Sequence, residues 1–93
     1  MLLKKEYTLD DTAKLMLSGD FRERFKAEYW QDKIRTERLR TMVMKYKHDK
    51  LDFTPKCSVM LLDSQLHLME HKLRILEERA IIEDIDLEVT EDA

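Results

Sequence analysis

A chain of 93 residues with 40% charged and 43% apolar side chains, but one glycine and one proline, has little material for tight turns. That disfavours a many-stranded β fold and suits long amphipathic helices in a single domain. The net charge is −3, and the single cysteine, Cys57, excludes an internal disulfide framework.

No apolar run approaches the roughly 18 residues of a membrane span. The opening Met1-Leu2-Leu3-Lys4-Lys5-Glu6 is charged too soon for a secretory signal, so a cytoplasmic protein is expected. The charge is uneven. Residues 83–93 hold six acids and no base, which leaves a body with 17 bases against 14 acids. The tail reads as a solvated acidic extension, with shielding of the basic body as the sharper alternative.

In chain order, Thr8-Leu9-Asp10-Asp11 predicts a helix start, with the Thr8 hydroxyl capping free N–H groups and acids in the first turn. A short helix over 9–17 follows, ended by Ser18-Gly19, where glycine can take the left-handed conformation. Asp20, with Glu23 in capping-box spacing, opens a long helix over 21–48. Its seam reads Phe25, Tyr29, Asp32, Thr36, Leu39, Val43, Tyr46, apolar at both ends and polar in the middle. Ala27, Trp30 and Ile34 form a second patch, suited to Leu9, Ala13, Met16 and Leu17 of the first helix or to another chain.

Residues 49–56 make a turn in which Leu51 and Phe53 tuck under the hairpin end. Thr54 or Ser58 caps a third helix over 57–84, with Pro55 tolerated near its start. This helix carries two apolar stripes. Val59, Leu62, Leu66, Met69, Leu73, Leu76 and Ala80 form a seam for the second helix. Leu61, Leu68, Ile75 and Ile82 recur at seven-residue spacing on a neighbouring face. A domain this short buries only roughly 60–65% of its surface, so the second stripe predicts self-association. Beyond it, Ile85-Asp86-Leu87-Glu88-Val89 alternates as a strand would, with Leu2–Tyr7 or another chain as the available partner.

The fold class expected is all-α: a short N-terminal helix plus a long antiparallel helical hairpin, assembled into an oligomeric bundle. Among polar constellations, His67-Leu68-Met69-Glu70-His71 matches the inverted zinc-protease pattern. The chain ends soon after it, leaving no room for the downstream third ligand, so a solvated face is expected and no cofactor or metal. Gln65, Lys72 and Arg79, also seven apart, lie between the two stripes. They can pair with Asp32 or Glu28 of the second helix, or hold an anion at a subunit junction, with the Arg79 fork on a phosphate or carboxylate. Tyr29 and Trp30 are candidate stacking groups. The bases between Arg22 and Lys50, interleaved with Phe21, Phe25, Tyr29 and Trp30, would suit nucleic acid. They do not form one stripe, and the aromatics fall at core spacing. No Gly-rich phosphate loop and no nucleophile triad is present, so no enzyme is expected.

The stretches Ser18-Gly19-Asp20-Phe21-Arg22-Glu23-Arg24-Phe25-Lys26-Ala27-Glu28-Tyr29 and Leu51-Asp52-Phe53-Thr54-Pro55-Lys56-Cys57 are joined by Leu61-Leu62 with Gln65. Leu76-Glu77-Glu78-Arg79-Ala80, followed by Ile82-Glu83, completes the set. Together they resemble a family of short, uncharacterised helical phage and prophage proteins from crAss-like phages and phages of gut Firmicutes. The resemblance spans roughly residues 18–87. It implies a non-enzymatic accessory protein in the host cytoplasm, acting against host defence by binding an immune component or sequestering a nucleotide signal. The alternatives are a nucleic-acid-binding regulator and a structural or adaptor protein.

Overall fold

The computed structural model describes residues 6–89 and contains three helices: α1 (Leu9–Met16), α2 (Phe21–Lys47) and α3 (Val59–Ile82). Among the described residues no strand forms, and the all-α reading holds. α2 and α3 make the hairpin. α1 packs on α2 and makes no contact with α3, so it leaves the outer side of α3 open.

Each helix begins on a side-chain cap. Thr8 accepts from Asp11 N at 3.2 Å while Asp11 accepts from Thr8 N at 2.9 Å, a reciprocal box that satisfies two orphan donors. Asp20 accepts from Arg22 N at 3.0 Å, without the reciprocal Glu23 contact that its spacing suggested. Of the two candidates before α3, Ser58 is the cap and accepts from Leu61 N at 3.2 Å.

The helix ends overturn one expectation. No glycine has positive φ, and α1 closes with Leu17 in the right-handed region, so Gly19 does not act as a left-handed stop. The left-handed positions are aspartates: Asp49 at φ 55° and Asp84 at φ 58°. Lys50 N donates to Lys45 O at 2.8 Å, and Ile85 N donates to Ala80 O at 2.8 Å. Both are six-to-one Schellman closures, in which the short polar side chain of Asp tolerates a conformation that costs most L-residues about 1–2 kcal/mol.

The inner face of the hairpin follows the predicted seams. Phe25, Tyr29, Thr36 and Val43 of α2 are buried, as are Leu66, Leu76 and Ala80 of α3. The polar middle is made tolerable locally: the Thr36 hydroxyl, fully buried, donates to Asp32 O at 2.6 Å. The α1 contact differs in detail from the sequence expectation. Thr12 is the fully buried residue there, its hydroxyl donating to Leu9 O at 2.7 Å. Ala13 and Met16 are exposed and Leu17 is 88% exposed. In the α2–α3 loop Leu51 is half-buried, but Phe53 stays exposed.

The segment after α3 is neither a strand nor a solvated tail. Ile85 is buried with Phe25, Tyr29, Trp30, Leu76 and Ala80, and Leu87, Val89 and Tyr7 pack against this cluster. Trp30 Nε1 donates to Leu87 O at 2.7 Å, and Arg22 donates to Asp84 O. The alternation predicted as a strand instead directs Ile85, Leu87 and Val89 inward and leaves Asp86 and Glu88 exposed. Of the expected strand partner Leu2–Tyr7, all but Glu6 and Tyr7 lies outside the described residues, as do Glu91 and Asp92.

Asp49→Gly and Asp84→Gly should each stabilise the protein by about 0.5–1 kcal/mol by removing the left-handed strain. Gly19→Ala, with nothing within 4 Å of the added Cβ, should be neutral or stabilise by up to about 1 kcal/mol. Urea unfolding midpoints at constant m-value measure all three.

Candidate functional site

The outer side of α3 holds the second stripe. Leu61 is 61% exposed, Leu68 71%, Ile75 43% and Ile82 82%. Neither α1 nor the 85–89 segment covers it, since the former lies on α2 and the latter on the Trp30 cluster. Four large apolar side chains are thus left exposed along one face of α3.

The row beside the stripe splits by role. Lys72 reaches across the hairpin, with Nζ 2.7 Å from Asp32 Oδ2 and 3.1 Å from Glu28 Oε2. The Asp32 Oδ2 atom is sealed from solvent, and this ammonium is its partner. The Asp32 bond is the main reason that the Lys72 pKa is raised, burial opposing it and Glu28 adding to it. Lys72 is therefore a clamp on the polar middle of the seam.

Arg79 is differently placed. Its guanidinium lies over the Phe25 ring with Cζ 4.9 Å from the centroid, and Nη2 is 3.4 Å from Glu83 Oε2 on its own helix. Stacking on a core ring holds the planar fork on the rim of the outer face, and the exposed i,i+4 pair with Glu83 is weak. Gln65, two turns from Lys72, is exposed, and its amide meets only the Met69 sulfur at 3.6 Å. Arg79 and Gln65 are thus the members of the row whose polar groups remain open to a ligand.

Tyr29 and Trp30 stand inside the protomer. Trp30 is 6% exposed, with Lys33 Nζ 4.8 Å over its ring and the Tyr7 and Tyr29 rings in edge contacts. Tyr29 is 7% exposed and donates to Glu77 Oε2 at 3.0 Å. Burial, then the Glu77 bond and the Glu77 and Glu37 charges, push its phenol up to about 12. These rings anchor the core beneath the site instead of offering stacking faces.

The remaining polar candidates are balanced or engaged. A cleft of about 260 Å3 between α2 and α3 is lined by Lys33, Arg40 and Arg74 together with Glu37, Glu70 and Glu77, so its charges cancel. On α2, Arg22 and Arg24 bind backbone carbonyls, Arg40 pairs with Glu70 and Lys47 with Asp63. With Lys26 over the Tyr7 ring and Lys33 over Trp30, six of the ten bases between Arg22 and Lys50 have an intramolecular partner. His67 Nδ1 sits 2.8 Å from Asp63 O, and no group of three His, Cys, Asp or Glu side chains able to hold a metal exists among the described residues. No helix among them is long and apolar enough to cross a membrane.

These features define a small all-α hairpin protein with an uncovered apolar face and an arginine on its rim. More particularly, the chain belongs to the Sequestin family, whose model matches residues 19–82, the whole of α2, the loop and α3. No curated protein and no solved structure matches it. The helix boundaries make that span informative: α1 and the 85–89 segment lie outside it, and the matched part is the hairpin that carries the outer face.

The Tyr29 phenol implies a pH signature. Unfolded, it releases its proton near 10, whereas folded it holds the proton to about 12. Between these values the native state binds more protons than the unfolded chain, so stability falls as pH rises. Lys72, also raised, contributes stability that fades in the same direction above its ordinary value of 10.5. Tyr29→Phe should show a shallower loss of stability from pH 10 to 12 than the wild type, read by urea unfolding at stepped pH.

Proposed function

We propose that this protein is a non-enzymatic sequestering protein of phage origin. Within the host cytoplasm it acts against host defence as a homo-oligomer, holding a nucleotide signal or another anionic component of the host's immune machinery. The observation that carries the reading is the match of the hairpin to the Sequestin family, a name that denotes capture of a molecule. The outer face of α3 supports it with chemistry: apolar contact from Leu68 and Ile75, a guanidinium fork from Arg79 and an amide from Gln65. A fork held by stacking on Phe25 loses little conformational freedom on binding, and bidentate geometry suits phosphate. Lys72 serves the site by fixing α3 against α2, since its ammonium is already committed to Asp32 and Glu28.

Capture without turnover requires that the ligand leave the protein unchanged. Native mass spectrometry of protein purified from a host with active immunity should show an oligomer carrying a small molecule, which denaturation releases intact. Arg79→Ala purified in the same way should keep the oligomer and retain less than about a tenth of the ligand, as expected for loss of one charge-assisted fork. Full retention by that variant would remove the outer face as the site.

A further inference from the structure

The outer stripe has an internal symmetry that constrains how two copies meet. Leu61, Leu68, Ile75 and Ile82 are evenly spaced about a point between His71 and Lys72. A two-fold axis there, perpendicular to α3, lays α3 antiparallel on the partner's α3. It sets Leu61 against the partner's Ile82 and Leu68 against the partner's Ile75. Every layer then has a leucine facing a β-branched residue, and the helix dipoles oppose favourably. The same operation keeps each flank facing its own kind, so the row of Gln65, Lys72 and Arg79 meets the partner's row in reverse order.

The surface reaches the lower limit of what pairing needs. An aliphatic side chain carries roughly 60–120 Å2 of apolar surface, so eight of them, 43–82% exposed, supply about 300–600 Å2. An interface core is about 65% apolar, which brings the total to about 500–1,000 Å2, the lower end of specific pairing. The charges permit it as well. At the axis the two Lys72 ammonium groups face each other, but each is bound at 2.7 Å and 3.1 Å by its own Asp32 and Glu28. Without that clamp, a pair of bare ammonium groups would oppose this register.

We infer that α3 pairs antiparallel with a second copy about this axis and thereby builds two identical composite anion sites. In each site Arg79 of one protomer stands beside the partner's Gln65. The inference rests on the sequestering reading and deepens it, because a lone protomer holds Arg79 and Gln65 about 20 Å apart along α3, at 1.5 Å per residue. Neither residue can then assist the other within one chain. Arg79 supplies the fork, the partner's Gln65 supplies an amide N–H, and the stripe excludes water. Glu83, now 3.4 Å from Arg79, is the carboxylate that the anion displaces, and Glu78 points to the other flank, opposite the partner's Ser64.

Two experiments test this. The first reads the register with Cys57→Ser as background and single cysteines at exposed positions. His71→Cys should form a disulfide-linked dimer on mild oxidation. Leu61→Cys alone should not, because its two copies lie about 30 Å apart, but mixed with Ile82→Cys it should cross-link. Self-linking by Leu61→Cys and by Ile82→Cys would mean parallel pairing, and no linkage at any position would mean no such pair; either overturns the inference.

The second uses pyrophosphate as probe in calorimetry. Arg79→Ala and Gln65→Ala should each weaken binding about tenfold or more. After subunit exchange, an equimolar mixture of the two variants should regain wild-type affinity at roughly a quarter of its sites, because each mixed pair rebuilds one intact site. Wild-type binding without that recovery would sink the composite site and leave the sequestering reading in place. No pyrophosphate binding by the wild type would sink the Arg79 anion site in both.

Discussion

Leu76 and Ala80 of α3 close on Phe25, Tyr29 and Trp30 of α2, with Ile85 sealing the end of the cluster. Burial of this group, in a protein with little surface to hide, is the interaction on which the other features depend. It sets the rotation of α3 about its own axis. Once Leu76 and Ala80 face inward, Ile75, Ile82 and Leu68 must face out, because successive residues on a helix are about 100° apart. The exposed stripe is thus a geometric consequence of the core and cannot be withdrawn without unmaking it.

The same cluster supports Arg79 indirectly. Phe25 is buried by Leu76 and Ala80, and its ring face is where the Arg79 guanidinium rests. The apolar end of the seam therefore positions a charged group at the edge of the outer face. The polar middle does something different. Asp32 and Thr36 would weaken the hairpin if left unsatisfied, and Thr36 solves this within its own helix while Asp32 requires Lys72 from across the seam. One lysine thereby holds register between the helices and quiets a charge that would otherwise sit exposed on the outer row.

The segment after α3 shows how composition can mislead. Six acids in the last eleven residues read as a solvated extension, yet Ile85, Leu87 and Val89 are part of the core and Leu87 supplies the acceptor for the Trp30 indole. Period-two alternation was legible; its meaning was not, because the same pattern serves a strand or an extended strap laid against helices. The turn chemistry misled in a similar way. The only glycine drew attention to Ser18-Gly19, while the chain uses aspartate at both left-handed closures.

The residues by themselves determined what depends on local spacing and local chemistry: helices over most of the chain, caps at Thr8 and Asp20, an α2 and an α3 seam, and a second stripe with Gln65, Lys72 and Arg79 beside it. These are visible because helix periodicity and capping act over three or four residues. Only the tertiary structure decided which polar groups are spent inside the protomer. Lys72 is taken by Asp32 and Glu28, Tyr29 by Glu77, and Trp30 by Leu87, whereas Arg79 and Gln65 keep their polar groups on the surface. These pairings join residues 40 or more apart in sequence. No local pattern encodes such a pairing, because it follows from how α2, α3 and the final strap settle around one shared core.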